Sequence, residues 1–305
     1  MKEKPFDIQR RVVAHKTVES WDTIPHAGIV LDLDVTEVIN LTMRLRERPE
    51  FQGVRVTLNT VMLKLIAESI KASPDINAQV VYNKHTNTGK MCYLDSIDIA
   101  IPLLAGDKRM ITPVLRNVGA LSLREVCIDM ERLKYRAGNT HVDLLLLEAA
   151  LKDTRERLFR GHLIPILKRL WYNFVSADRL MLPSRKERSA YYRISPDERL
   201  VAEDLLGAST LVSNAGSIMP GLRFHGAFLE IIPPQITAMI LADVQKRPTV
   251  IQDDTGNDII AIRQIMPLTF FLDHRALDGE HITGFMKRLV YLCAHPDGIL
   301  ATGNG

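Results

Sequence analysis

Alternation of apolar and polar positions predicts β-strands at intervals along the chain. Residues 29–35 (IVLDLDV) and 97–103 (IDIAIPL) follow the period of two that is typical of a half-buried strand. Residues 111–118 predict a shorter strand, and three more are predicted later in the chain, at 209–213, 236–244 and 268–272. Gly and Pro residues separate these later segments, as expected for turns between strands.

Helical periodicity fills the intervals between the strands. Thr36 is predicted to cap a helix that runs towards residue 48, and Asn59 or Thr60 to cap a largely buried helix over residues 61–71. Two more helices are predicted, at 122–135 with Ser122 as its cap and at 144–158. The mixture of strands and helices predicts an α/β fold.

The character of the chain changes between about residues 139 and 206. Residues 162–181 (HLIPILKRLWYNFVSADRLM) are apolar and basic, which is the pattern of an amphipathic helix. Between Lys152 and Arg199, twelve Lys and Arg residues stand against six Asp and Glu residues. We interpret this region as a helical basic insertion that acts as an internal lid, as an edge contact in a trimer, or as an interfacial helix at a membrane surface.

Composition excludes several classes of protein. The chain has 305 residues, 46% of them hydrophobic, and its net charge of +3 is too small to imply nucleic-acid binding. The longest nearly unbroken apolar stretch, residues 142–151, falls far short of the ~20 residues that span a bilayer. The charged start of the sequence lacks an apolar leader, so we expect a cytoplasmic protein. Three widely spaced cysteines predict reduced thiols, and no residue cluster has the spacing of a metal or nucleotide site.

The densest group of chemically active residues lies at positions 267–281 (PLTFFLDHRALDGEH). An apolar strand ends just before His274 and a helix follows. The imidazole is therefore expected at the boundary between strand and helix, where the backbone is fixed and the side chain can face a cleft. Asp278 can organise this turn, and Gly279 is expected to permit a backbone conformation that a side chain would forbid. By themselves, a histidine at such a boundary and the strand-end hydroxyl of Ser213 are ordinary structural features.

The segment His-x-x-x-Asp-Gly after an apolar strand resembles the active-site signature of the chloramphenicol-acetyltransferase-like acyltransferases. The longer pattern Met266-Pro-Leu-Thr-x-x-x-Asp-His-Arg-x-x-Asp-Gly resembles the catalytic domain of the dihydrolipoamide acyltransferases of 2-oxo acid dehydrogenase complexes. The resemblance covers residues ~8–138 and ~205–300 and includes Ile24-Pro-His and Val212-Ser-Asn-Ala-Gly. It implies the chloramphenicol-acetyltransferase-like fold, in which helices flank a mixed β-sheet.

The resemblance also implies roles for individual residues. His274 would be the general base and Ser213 would stabilise the oxyanion of the transition state. Asp278 would organise the site, paired with either Arg10 or Arg11.

Four further residues are placed near the site by the same resemblance. Arg275, Gly279 and Asn214 would have structural roles there. His26 would either line the substrate channel or simply pack, and the sequence does not choose between these two roles.

The function implied is acyl transfer between coenzyme A, as a substrate, and a dihydrolipoamide-like thiol or another small acceptor. The resemblance implies a homotrimer or a larger assembly of trimers, with histidine from one subunit and serine from its neighbour. We expect one catalytic domain over residues 1–305, without lipoyl or peripheral-subunit-binding domains. The acyl group would then come from a separate lipoylated or other carrier protein, or acyl-CoA and a small acceptor would bind directly.

Two alternatives belong to other classes. The first is a catalytically silent trimeric scaffold of a multienzyme complex, which would need neither His274 nor Ser213. The second is a condensation-type enzyme of peptide assembly lines, which shares the His-x-x-x-Asp-Gly motif. That class carries a second histidine where this chain has Asp273, and it needs a longer, two-lobed chain.

Overall fold

The computed structural model describes residues 5–159, 182–226 and 228–300. The chain divides into two compact units. The first unit comprises Met1–Glu19, Pro102–Pro113 and Arg132–Leu206, and the second comprises Ser20–Ile101, Val114–Glu131 and Gly207–Gly305. The prediction of one catalytic domain over the whole chain stays a prediction.

A mixed β-sheet forms the centre of the second unit. In chain order the strands of the molecule are β1 (His26–Asp34), β2 (Ala78–Asn83), β3 (Thr88–Tyr93), β4 (Ile99–Ala100), β5 (Leu103–Leu104), β6 (Met110–Ile111), β7 (Val114–Leu115), β8 (Thr210–Asn214), β9 (Thr237–Leu241), β10 (Gln245–Gln252) and β11 (Asp258–Asp273). The sheet has the order β1-β11-β9-β8-β4-β7, and β10 also pairs with β11. Strand β8 is parallel to β4 and β9, whereas the other pairs are antiparallel.

Helices flank this sheet, as predicted. Among the described residues of both units, the helices in chain order are α1 (Ile8–Thr23), α2 (Thr36–Glu47), α3 (Leu58–Ile70), α4 (Leu123–Gly138), α5 (Val142–Phe159), α6 (Arg185–Arg193), α7 (Ala215–Ile218) and α8 (Gly279–Ala294). Helices α2, α3 and α8 pack against one another and against β1 and β11. The rings of Phe270 and Phe285 lie 5.2 Å apart within this core, and both side chains are fully buried.

Two of the predicted helix caps are wrong. Thr57, rather than Asn59 or Thr60, caps α3, because its hydroxyl accepts the Thr60 N–H at 3.2 Å while the Thr60 hydroxyl accepts the Thr57 N–H at 3.1 Å. Thr36 is the first residue of α2, and its N–H donates to the Asp34 carboxylate at 3.0 Å. A carboxylate is the stronger acceptor at the positive end of a helix, which explains the second difference.

In the first unit, Arg199 ties together the two described helices of the predicted insertion. Its guanidinium donates to Glu148 of α5 at 3.1 Å and to the Tyr191 hydroxyl of α6 at 3.0 Å. Burial raises the pKa of Tyr191 to about 12, so this hydroxyl stays protonated at neutral pH. Residues 162–181, predicted as the amphipathic part of the insertion, lie outside the described residues.

None of the helices within residues 5–159, 182–226 and 228–300 has the length and apolar character that crossing a membrane requires.

Candidate active site

The backbone of His274 is held between the first strand and the last helix of the second unit. His274 follows Asp273, the last residue of β11, and lies five positions before Gly279, the first residue of α8. The His274 N–H donates to the Pro25 carbonyl at 3.0 Å. His26, the residue after Pro25, lies opposite Asp273 where β1 pairs with β11. The imidazole itself is 53% exposed, so a fixed backbone presents an accessible side chain.

An ion pair fixes the residues on either side of His274. The Asp273 carboxylate is fully buried and accepts hydrogen bonds from the Arg275 N–H at 3.0 Å, from Nε at 2.9 Å and from Nη2 at 2.6 Å. The Arg275 guanidinium also lies over the ring of Tyr82, 5.7 Å from its centre. These contacts therefore fix the conformation of the turn that carries His274. Tyr82 of β2 contacts this turn through Arg275, which the sequence did not indicate.

Asp278 contacts the imidazole directly. His274 Nδ1 lies 3.0 Å from Asp278 Oδ1. A carboxylate at Nδ1 accepts a proton held there, which leaves the lone pair of the neutral ring on Nε2. In the part of the chain that the structure describes, Nε2 has no hydrogen-bond partner. The Asp278 N–H donates to His281 Nδ1 at 3.0 Å, which gives His281 a capping role at the start of α8.

The expected conformational role of Gly279 is wrong. Its φ is not in the left-handed region, and a Cβ at this position would meet no atom within 4 Å. Gly279 is the first residue of α8, where any ordinary residue adopts the backbone conformation. The pairing of Asp278 with Arg10 or Arg11 stays a prediction.

Ser213 lies near the end of β8 with its hydroxyl unused. The side chain is half-buried, and its hydroxyl makes no hydrogen bond to the described residues. The next residue fixes the turn, because Asn214 Nδ2 donates to Asn59 Oδ1 at 3.0 Å while Asn214 Oδ1 accepts the Ser217 N–H at 2.9 Å. Gly216 is required here, since a Cβ would lie 2.7 Å from the backbone of Asp243. These contacts fix the backbone of the turn that follows Ser213.

Strand register places Ser213 and His274 of one chain far apart. Ser213 lies opposite Ile240 of β9, and Ile240 lies opposite Thr269 of β11. His274 follows Thr269 by five residues, so the two backbones are separated by about 17 Å along the strands and by about 10 Å across them. The structure therefore does not bring these two residues together within one chain.

His26 is packed and hydrogen-bonded inside the second unit. Its Nε2 accepts the Ile231 N–H at 3.0 Å and lies 3.3 Å from the Ser20 hydroxyl, while its ring packs against the Trp21 ring at a tilt of 31°, with the ring centres 4.9 Å apart. Its Nδ1 is buried and has no hydrogen-bond partner among the described residues. The packing role is thus present in the structure, and the role in a substrate channel stays a prediction.

Cys127 and Cys293 are buried and Cys92 is half-buried, and none of these three residues forms a disulfide. Burial raises the pKa of Cys293 to about 12, so its thiol is protonated at neutral pH. Across the described ranges, no group of three or more His, Cys, Asp and Glu side chains could hold a metal ion.

Comparison with known proteins identifies the family. The model of the 2-oxoacid dehydrogenases acyltransferase (catalytic domain) family matches residues 1–144 and 185–301, and the chain belongs to this family. The unmatched segment, 145–184, is narrower than the predicted insertion at about 139–206.

Individual relatives agree with this family but are distant. The dihydrolipoyllysine-residue acetyltransferase component of the Zymomonas mobilis pyruvate dehydrogenase complex is 23% identical over 292 residues, which are 96% of this chain and 50% of that protein. The chain spans about half the length, or less, of the first curated relatives that it matches.

Two solved structures share the fold. The cubic core of the pyruvate dehydrogenase multienzyme complex has a TM-score of 0.65 at 19% identity, and the match covers 98% of this chain and 94% of the chain in that structure. The Azotobacter vinelandii dihydrolipoamide acetyltransferase has the same TM-score, identity and coverage.

Proposed function

We propose that this protein is a CoA-dependent acyltransferase that moves an acyl group between CoA and a dihydrolipoamide-like thiol. The observation that carries the proposal is the geometry at His274. An accessible imidazole has a carboxylate at Nδ1 and an unused Nε2, which is the arrangement of a general base. Membership of the acyltransferase family supplies the class of reaction.

In the proposed reaction, His274 Nε2 takes the proton of the attacking thiol as its sulfur adds to the thioester carbonyl carbon. The tetrahedral intermediate carries a negative oxygen, to which the Ser213 hydroxyl donates a hydrogen bond. When the intermediate collapses, its bond to the departing sulfur breaks and the imidazolium returns the proton to that sulfur. The acyl group thus passes from one thiol to the other while the proton passes back.

The two groups must come from different copies of the chain. One serine hydroxyl and one imidazole have to reach the same reacting carbonyl, and the register within one chain keeps them too far apart. We therefore place the active site between subunits of a homotrimer or of a larger assembly of trimers. The shared fold with the cubic core of the pyruvate dehydrogenase complex supports an assembly of this kind.

The acyl carrier is part of the proposal. The family model that the chain matches describes a catalytic domain, in which an acyl group is transferred. We propose that a lipoylated or other carrier delivers the acyl group, or that a free thiol of the same chemistry accepts it.

Acyl transfer from a panel of acyl-CoAs to free dihydrolipoamide tests the proposal. Release of free CoA should require the thiol acceptor, and it should fall by at least about 100-fold in His274→Ala because this variant lacks the proposed general base. His85→Ala is the matched control, since His85 is an exposed histidine in the β2–β3 turn, and this variant should keep wild-type turnover. A folded trimer that releases no CoA with any donor would contradict the proposal and favour the scaffold function.

Asp278 is proposed to position His274 rather than to carry a proton. Asp278→Asn should keep kcat within about threefold, because an amide oxygen can also accept the Nδ1 proton, whereas Asp278→Ala should lower kcat by at least about tenfold. The Azotobacter vinelandii enzyme was investigated for the catalytic roles of a serine, a histidine and an asparagine, and its asparagine follows the histidine by four positions, as Asp278 follows His274. Steady-state kinetics of both variants check this expectation. Equal losses in the two variants, or a change in KM alone, would contradict it.

A further inference from the structure

The guanidinium of Arg199, in the first unit, has one edge without an acceptor. Its hydrogen bonds to the described residues all leave from Nη1, and they reach Glu148 at 3.1 Å, the Tyr191 hydroxyl at 3.0 Å and the Leu200 carbonyl at 3.3 Å. The side chain is only 8% exposed, and its Nε is buried without a hydrogen-bond partner in the part of the chain that the structure describes. Buried donors without an acceptor are rare in native proteins, and a bound ion is one of their ordinary explanations.

A second guanidinium of the same unit shares this feature. Arg188 of α6 is half-buried, and its Nε is buried without a partner among the described residues. Arg188 and Tyr192 are four residues apart on α6, so their side chains lie on the same face of the helix. The guanidinium carbon of Arg199 lies 5.8 Å from the centre of the Tyr192 ring, so both arginines adjoin this one tyrosine. We refer to Arg188, Tyr192 and Arg199 as the arginine–tyrosine cluster.

The arginine–tyrosine cluster has more positive than negative charge around it. Glu148 pairs with Arg199, whereas across the described ranges no carboxylate pairs with Arg188. Partial burial, and next the charge of Glu148, raise the pKa of Tyr192, so its hydroxyl is protonated at neutral pH and can donate a hydrogen bond. The Tyr192 side chain is 51% exposed, which opens the cluster to solvent on this side. The cluster therefore offers several donors and a net positive charge to an anion.

The unused edge of Arg199 indicates which anion fits. Nε and Nη2 of a guanidinium donate in parallel to two oxygens of one oxyanion. Arg275 binds the Asp273 carboxylate with this edge in the same chain, through Nε at 2.9 Å and Nη2 at 2.6 Å. Arg188 and the Tyr192 hydroxyl add further donors, which need a third acceptor oxygen. A carboxylate has only two oxygens, whereas a phosphoryl group has three strong acceptor oxygens and a larger negative charge. The donors therefore favour a phosphoryl group.

We propose that the arginine–tyrosine cluster binds a phosphoryl group, either as inorganic phosphate or as the phosphate of a small molecule. The Nε–Nη2 edge of Arg199 donates to two of its oxygens, while Arg188 and the Tyr192 hydroxyl donate to the third. Glu148, which holds Arg199, lies in the segment 145–184 that the family model does not match. None of these residues takes part in the proposed acyl transfer, so the two proposals stand or fall separately.

Isothermal titration calorimetry with inorganic phosphate, at constant ionic strength, tests the proposal. Arg188→Met should weaken phosphate binding at least about tenfold, because it removes one guanidinium. Arg188→Lys should also weaken it, because lysine keeps the charge but lacks the planar fork. Arg185→Met is the matched control, since Arg185 is an exposed arginine of the same helix, and this variant should keep wild-type affinity. Equal losses in Arg185→Met and Arg188→Met, or no phosphate binding by wild type, would overturn the proposal.

Tyr192→Phe keeps the test decisive if Arg188→Met does not fold. This variant keeps the ring and loses only the hydroxyl, so phosphate binding should weaken by about tenfold, the usual cost of one hydrogen bond to a charged group. Wild-type affinity in folded Tyr192→Phe would overturn the proposed arrangement.

Two other probes identify the form of the ligand. Binding of glycerol 3-phosphate at least as tightly as inorganic phosphate would support a site for the phosphate of a larger molecule, whereas binding of inorganic phosphate alone would support a site for the free ion. Acetate should bind at least about tenfold more weakly than phosphate, because it lacks the third oxygen. Binding of acetate in preference to phosphate would overturn the assignment of a phosphoryl group.

Discussion

Mixing subunits that lack His274 with subunits that lack Ser213 is expected to restore acyl transfer that neither variant shows alone. His274→Ala should lower kcat by ~10²–10⁴-fold, since it removes the general base, and Ser213→Ala by ~10²–10³-fold, since it removes the donor to the oxyanion. In a trimer assembled from equal amounts of the two variants, about one site in four combines an intact His274 with an intact Ser213 of its neighbour. The measurement is kcat of the coexpressed mixture against each variant alone.

A second mixture distinguishes an intersubunit site from a site within one chain. Wild type combined with an equal amount of the His274→Ala/Ser213→Ala double variant should keep about one quarter of the sites if each site needs two subunits, and about one half if it does not. Failure of the two single variants to restore activity, in trimers shown by mass to be mixed, would place both residues in one chain or remove Ser213 from the mechanism. A rise in KM without loss of kcat in Ser213→Ala would make the serine a substrate-binding group.

The central sheet and the helix after the motif could be predicted because their patterns are strong. Strands at the positions of β1, β8, β9 and the end of β11 were all indicated by alternation or by apolar runs between turns. In α8, Ile282, Phe285 and Leu289 are buried as the helical spacing predicts. Val290 of the same helix is apolar but 48% exposed, because the buried stripe of the helix is narrower than its apolar pattern.

Strands β4 and β7 are shorter than predicted because each predicted segment contains a proline. The patterns at 97–103 and 111–118 include Pro102 and Pro113, and proline has no N–H to donate to a neighbouring strand. Only Ile99–Ala100 and Val114–Leu115 therefore pair in the sheet. The dipeptides Leu103–Leu104 and Met110–Ile111 form a separate small pair.

Helices and strands without a clear apolar periodicity were not predicted from the sequence. The contacts that these elements make were therefore not predicted either. Helix α1 has no continuous apolar stripe, and the β2–β3 hairpin is polar around its turn. Tyr82, on that hairpin, reaches Arg275 only through the tertiary fold. The contact between His274 and Asp278 lies within one turn and was foreseeable in outline, whereas the separation of Ser213 from His274 follows from strand register, which the sequence pattern does not specify.

Replacing a buried lysine is expected to give the largest loss of stability in the second unit. The Lys64 side chain of α3 is fully buried, lies 2.8 Å from Glu68 Oε1, and donates to the carbonyls of Val118 at 3.2 Å and Leu121 at 2.6 Å. Lys64→Met should lower the free energy of unfolding by about 3–5 kcal/mol, because the loop carbonyls and a buried carboxylate lose their partner. Urea unfolding followed by circular dichroism measures this change.

Lys71→Met is the matched control for the buried lysine. Lys71 pairs with the same Glu68 oxygen at 2.9 Å, but its side chain is 45% exposed, so its loss should cost no more than about 1 kcal/mol. The Lys64→Met/Glu68→Met double variant should be more stable than Lys64→Met alone, because it no longer buries a carboxylate that has lost its buried partner and keeps only the half-exposed Lys71. Equal losses in Lys64→Met and Lys71→Met would contradict the assignment of a stabilising role to the buried ammonium group.

The same pair predicts how acid weakens the fold. Burial alone would raise the pKa of the Glu68 carboxyl, but hydrogen bonds from Lys64 and Lys71 outweigh it and hold the pKa below its ordinary value. A carboxyl whose pKa is lower in the folded state than in the unfolded state stabilises the fold above its unfolded pKa, and this stabilisation is lost as the pH falls through the folded pKa. Wild type should therefore lose stability on acidification below the ordinary pKa of 4.5. In the Lys64→Met/Glu68→Met double variant this part of the loss should be absent, since the titrating carboxyl is gone.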